Sequence, residues 1–252
     1  MKIKTMFQWS WKVNWIALVV MTGVLIGVQL AVSVILLAAL PQAELAAGVQ
    51  MTSSSPSVLV MSFIMGCITY AYGLRFGGSH GVSRRSVYWG FILFSMTFSA
   101  ALIFATYLIE LATAWSGVPD VAIFRLVYAG WLDTAPAFPG FVARFFWETA
   151  VVLFASMLGY FMGGAFYRLG KVGKVLLAAG TPVVLFVLLP VAVSLLPQNI
   201  LASVADFFNR LYAVLYASPY PMIAVFLAAG ALFAFFSWLT MRRAPVNPAA
   251  TL

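Results

Sequence analysis

Six apolar runs, each about as long as a bilayer crossing requires, dominate this chain: Trp15–Leu40, Ser57–Leu74, Val87–Ile109, Trp147–Tyr167, Val175–Leu196 and Met222–Met241. At 1.5 Å rise per residue, roughly 20 apolar residues cross the hydrocarbon layer as a helix. The runs predict an all-α integral membrane protein with six transmembrane helices. The charges between them are sorted. Lys2, Lys4 and Lys12, then Arg75, Arg84 and Arg85, then Arg168, Lys171 and Lys174, then Arg242 and Arg243 alternate onto one face. The other face receives Glu44, Glu110, Asp120, Asp133, Glu148 and Asp206, with Arg125, Arg144 and Arg210. The first face holds 11 of the 14 Lys and Arg residues. By the positive-inside rule it is cytoplasmic, and both termini are expected inside.

Composition excludes several alternatives. With 64% hydrophobic and 8% charged residues, and a mean hydropathy of +1.04, no soluble domain could keep its surface wetted. A net charge of +8 would suggest nucleic acid in a soluble chain. Here it is the positive-inside excess, so no nucleic-acid partner is expected. The single Cys67 excludes an intramolecular disulfide and a cysteine metal cluster. The first run exceeds a signal-peptide core and is expected to be a retained anchor.

The runs differ in character. Gly23, Gly27 and Ala31 recur at four-residue spacing in the first, and Ala155, Gly159 and Gly163 in the fourth. Such ridges let helix backbones approach closely, within one chain or against a second copy. Pro182, Pro190 and Pro197 predict a kinked fifth helix. No ionisable residue sits at the middle of a run; Glu110 and Glu148 fall at outer ends, where they are expected to meet water. Ion-driven carriers usually need intramembrane carboxylates or histidines, so coupling to a proton or sodium gradient is not expected. Gln29 is the one amide deep in a run, accompanied by Ser33, Thr69, Ser95, Thr97, Ser99 and Thr106. These hydroxyls can line a substrate pathway or bond a neighbouring helix.

No enzyme activity is expected. His80 has no second His, Cys or acid near it in sequence, which rules out a metal site or a nucleophile–base pair from its neighbours. Gly77-Gly78-Ser79-His80-Gly81 lacks the spacing of a phosphate loop, so the chain is not expected to bind ATP, Mg or any other cofactor itself. The connection Arg75–Gly90 holds glycines for a flexible turn and Ser83 as an N-cap of the third helix. Arg84 and Arg85 in the first turn oppose the helix dipole. With Tyr167–Lys174 they form a basic patch suited to an acidic cytosolic partner or anionic lipid.

The segment Phe76-Gly77 through Gly81-Val82-Ser83-Arg84-Arg85 to Gly90, together with the exit Leu158–Lys171 and the six-run topology, resembles the permease subunits of ABC-2 type transporters, small bacterial members above all. The resemblance covers essentially the whole chain, on loose motifs. It implies a transmembrane subunit of an ATP-driven exporter in a bacterial cytoplasmic membrane. It implies pairing with a second permease copy or paralogue and with a separate ATPase subunit that binds ATP and Mg. A coupling helix between the second and third spans would dock on that ATPase through Gly81, Val82, Ser83, Arg84 and Arg85, with Arg168 and Lys171 near by. The rivals are a non-transporting immunity or assembly protein, and an ion-independent facilitator.

Two further segments fit the resemblance. In residues 1–14, Ile3, Phe7, Trp11 and Trp15 recur every four, predicting an interfacial leader helix. Asn199–Ala217 reads as an outer amphipathic helix carrying Asp206 and Arg210 as an i,i+4 pair. The connection Leu111–Phe146 is long and aromatic, with Trp115 and Trp131 suited to the outer interface.

Overall fold

The computed structural model describes residues 3–39, 55–114, 123–184 and 198–242. These form eight helices: α1 (Ile3–Ala39), α2 (Ser55–Ser79), α3 (Arg84–Ala114), α4 (Ile123–Thr134), α5 (Ala137–Arg168), α6 (Lys171–Val183), α7 (Gln198–Ala217) and α8 (Pro219–Arg242). No strand occurs among the described residues. Within α2, α3, α5 and α8, the stretches Pro56–Ser79, Arg84–Leu111, Ala137–Arg168 and Pro219–Arg242 are long and apolar enough to cross a membrane. The second part of the fifth run, with Pro190 and Pro197, lies outside the described residues, as do Glu44, Trp115 and Asp120.

The helix ends follow from local chemistry. Ser83 caps α3: its Oγ accepts the Ser86 N–H at 3.2 Å, satisfying one orphan donor of the first turn. Pro136 precedes α5, and Pro219 opens α8, where the missing N–H has no partner to lose. Leu169 ends α5 in extended backbone, φ −78° and ψ 140°.

The core is the seam between α2 and α5, with α8 and α3 laid against it. α2 and α5 run parallel and almost touch, because the contact is glycine. A Cβ at Gly159 would overlap the Phe63 carbonyl oxygen, and one at Gly66 the Ser156 carbonyl oxygen. A Cβ at Gly163 would lie 2.5 Å from the Cys67 carbonyl oxygen. The small-residue ridge of the fourth run therefore packs inside the chain. Gly23 and Gly27 on α1 differ: a Cβ there would meet nothing within 4 Å. Aromatic rings fill the seam toward the C-terminal ends of α2 and α5, with Phe91 stacked on Tyr160 at 3.6 Å and Tyr70 edge-on to Tyr160 at 5.0 Å. α8 lies along α5 in the same direction, Phe154 meeting Phe226 and Phe161 meeting Phe236.

Three expectations are corrected. The leader is no separate helix. It continues into the first run as one 37-residue helix, and its face of Met6, Ser10 and Asn14 is buried. Met6 fits over Gly90, Trp9 stacks on Phe76 at 4.4 Å, and Trp11 Nε1 donates to Thr97 Oγ1 at 3.1 Å. The buried stripe is thus one position off the Ile3–Phe7–Trp11–Trp15 row, and Trp15 is exposed. The fourth run begins ten residues early, at Ala137, since Pro139 sits in the first turn where proline is tolerated. The outer connection is also shorter than it reads. Its residues 123–134 form α4, kinked at Tyr128 (φ −122°, ψ 31°) and docked through Phe124 and Tyr128 on Trp147.

Candidate functional site

At one end of the bundle, the connection between α2 and α3 is four residues, 80–83, with no helix of its own. The implied coupling helix is not there. Gly77 and Gly78 belong to α2, so the expected flexible glycine joint is helical. Gly77 is needed for space: a Cβ on it would lie 2.6 Å from Val87 Cγ2. Among the described glycines, Gly81 at φ +59° is the one that uses glycine's freedom to turn left-handed. Val82 is buried under the turn, and its N–H donates to the Gly77 carbonyl at 2.8 Å. His80 is stacked on Phe76 at 4.1 Å, with Nδ1 3.0 Å from the Phe76 carbonyl oxygen, so it is held as well as hydrated.

The two adjacent arginines have different surroundings. Arg84 Nη1 donates to the Arg242 carbonyl at 2.7 Å and reaches the Met241 carbonyl at 3.5 Å. It therefore satisfies the orphan acceptors at the end of α8 and meets the negative end of that helix, offsetting its poor position at the start of its own. Arg85 is exposed. Arg168 is exposed at the end of α5, beside Tyr167, whose ring lies 6.0 Å from Tyr70. Lys171 opens α6, with its side chain outside the described set, as are those of Gln29 and Ser33 on α1. The structure thus gathers Gly81, Val82, Ser83, Arg84 and Arg85 at one end of the bundle, and Arg168 ends a helix at that same end.

The hydroxyls within the apolar runs mostly bond helix backbones and neighbouring helices. Thr69 Oγ1 donates to the Met65 carbonyl at 2.7 Å and Thr106 Oγ1 to the Ile103 carbonyl at 2.7 Å. Ser156 Oγ donates to Ser95 Oγ across the α3–α5 contact at 3.3 Å.

The opposite end of the bundle holds a cluster that the sequence reading missed. Arg144, on α5, donates from Nε to Glu148 Oε1 at 2.9 Å and from Nη2 to Glu110 Oε1 on α3. Its guanidinium carbon lies 4.8 Å from the Tyr107 ring centre. Arg144 and Glu148 are buried, at 8% and 7% exposure. Glu148 therefore does not meet water as expected; it stands one turn beyond Arg144 on the buried face of α5. The i,i+4 spacing of Arg144 and Glu148 is the available signal, hidden because the prolines before Arg144 make its segment look like loop. Two cavities flank the pair. One of about 410 Å³ is lined by Arg144, Arg125, Asp133 and Phe141 between α4 and α5. The other, of about 80 Å³, lies deeper and is walled by Val58, Ile103, Thr106, Trp147, Glu148 and Val152.

Of the predicted outer-interface residues, Trp131 packs edge-on to Tyr220 at 6.1 Å. Tyr128 beside it is pushed up from its ordinary pKa by burial and donates its hydroxyl proton to the Leu215 carbonyl at 3.0 Å, tying α4 to α7. Asp206 and Arg210 are exposed on α7, with Phe207, Phe208 and Tyr212 also exposed. The ion pairs found among the described residues are those of Arg144, so Asp206 and Arg210 do not close into one. No known family model, curated protein or solved structure matches the chain.

Proposed function

We propose that this chain is the membrane-embedded permease subunit of an ATP-driven exporter of the ABC-2 type, six-spanning, with both termini in the cytoplasm of a bacterium and a separate ATPase bound beneath it. The observation that carries the reading is the clamp at the inner end. A short turn bears exposed Arg85, while its neighbour Arg84 is bonded to the end of α8. A push on that turn reaches α2, α3 and α8 together, which is what energy coupling through a loop requires. Exposed Arg85 and Arg168 offer charge-assisted hydrogen bonds to carboxylates of a partner. The test is co-purification with an ATP-binding subunit from detergent, followed by its ATPase rate. Arg85→Glu is expected to abolish stimulated hydrolysis while leaving the permease folded. Full stimulation in that variant would move the contact elsewhere.

A second reading rests on the buried Glu110–Arg144–Glu148 cluster. Buried carboxylates of this sort are the groups by which carriers bind a coupling cation. Uptake into liposomes on a proton or sodium gradient, without any ATPase, would favour that reading over the first.

A further inference from the structure

We propose that the wider cavity, between α4 and α5, binds a zwitterionic headgroup: a monoanionic phosphate joined to a primary ammonium, with Arg125 holding the phosphate and Asp133 the ammonium. The first ground is charge. Of the charged residues in the wall, Arg144 is already bonded to Glu110 and Glu148. Arg125 and Asp133 remain, one charge of each sign, and both are exposed. They sit on α4, separated by about 12 Å of helix rise. Among the described residues neither takes part in an ion pair, with the other or with a third group. A ligand of one sign would be attracted by one and repelled by the other. A ligand carrying both signs satisfies both.

The second ground is size and depth. The cavity measures about 410 Å³, inside the range of roughly 300–1,000 Å³ usual for small-ligand sites. The 32 residues of α5 rise about 48 Å, close to the roughly 40–45 Å of a bilayer with its headgroups. The start of α5, which walls the cavity, therefore lies at headgroup level. Trp131 and Tyr220, packed edge-on at this end, are residue types that favour the same level. Phe141 in the wall is exposed, as are Leu126 and Phe138 next in sequence to wall residues, and they offer apolar surface to acyl chains. The headgroup chemistry follows from the two side chains. A guanidinium bonds phosphate oxygens in pairs. A carboxylate accepts hydrogen bonds, of which a primary ammonium donates three and a quaternary one none. The site thus selects ethanolamine over choline, and over a glycerol headgroup that brings no positive charge.

This inference needs no ATPase partner, so it survives or fails independently of the exporter reading. The full chain, delipidated in dodecyl maltoside, is titrated with dihexanoyl phosphatidylethanolamine, phosphatidylcholine and phosphatidylglycerol, and bound lipid is read by native mass spectrometry. Phosphatidylethanolamine is expected to bind at least five-fold more tightly than either of the others. Asp133→Asn is expected to erase its advantage over phosphatidylcholine, and Arg125→Gln to weaken it five-fold or more. Ala129→Trp, which fills the cavity and leaves both charges in place, is expected to weaken it ten-fold or more. Glycerophosphoethanolamine, which has no chains, separates the two sources of such a headgroup. Weaker competition than by the lipid assigns the site to membrane lipid, and equal competition assigns it to a soluble zwitterion held by the same two residues. No binding, equal binding of the three lipids, or a preference that survives both Asp133→Asn and Arg125→Gln would overturn the site.

Discussion

Replacing Gly163 by alanine tests whether the α2–α5 seam is as close as described. The new methyl carbon would stand 2.5 Å from the Cys67 carbonyl oxygen, and ordinary contact begins at 3.4 Å. The two backbones must therefore part by about 0.9 Å at that point, on atoms with no rotamer to escape into. A gap of that size forfeits a quarter to a half of each dispersion contact nearby. Overpacking of this kind costs about 1–3 kcal/mol. Against it stands the gain of about 1 kcal/mol when glycine becomes alanine inside a helix. The overlap wins, and Gly159→Ala, which meets the Phe63 carbonyl still more closely, is expected to lose more. At Gly23 and Gly27 the sum has the opposite sign, because nothing lies within 4 Å to be pushed. Thermal unfolding in detergent reads the difference, at about 2–4 °C per kcal/mol for a chain of this size. Gly163→Ala should melt several degrees lower and Gly23→Ala level with or above the parent. A neutral Gly163→Ala, or a Gly23→Ala that destabilises as much, would refute the packing argument.

Arg144→Met leaves two buried carboxylates without their base and is expected to cost about 3–5 kcal/mol, and adding Glu110→Gln and Glu148→Gln should recover most of it in the same melting assay. Arg84→Ala uncaps α8 and should cost about 1 kcal/mol, whereas Arg85→Ala, on an exposed side chain, should stay within about 0.5 kcal/mol. Tyr128→Phe loses the bond to the Leu215 carbonyl, about 1 kcal/mol, and should speed proteolysis between residues 123 and 134. In a background lacking Cys67, cysteines at Ser83 and Lys171 should label only from the cytoplasm and one at Asp133 only from outside; outside labelling at Lys171 would refute the proposed orientation.

The cores of the membrane-length helices were legible because hydropathy is a sum over twenty residues and tolerates local error. The cap at Ser83 was legible because its chemistry is local. What escaped depends on contacts remote in sequence. Gly77 and Gly78 read as a flexible joint, yet Gly77 is small because Val87 leans on it. The leader reads as an amphipathic surface helix, yet Met6 is matched to Gly90, a pairing that no periodicity encodes. The start of α5 was lost to Pro136, Pro139 and the surrounding aromatics, and Arg144 with it. With Arg144 in an apparent loop, Glu148 has no visible base in the sequence. The resemblance supplied roles for the inner residues but no geometry; that Arg84 is occupied by α8 while Arg85 is exposed follows only from where α8 ends.

The common direction of α2, α5 and α8 has an electrical consequence. Each peptide dipole points the same way, so three helices end together at one end of the bundle, and each end carries roughly half a negative elementary charge. Those ends lie among Arg84, Arg168 and Arg242, the last turns of α5 and α8 holding two of these residues themselves. Part of the basic charge at this face is thereby matched by backbone carbonyls before any partner arrives. The potential that a partner or a lipid headgroup meets is smaller than the count of arginines implies, and it concentrates on the side chains that no helix end has claimed.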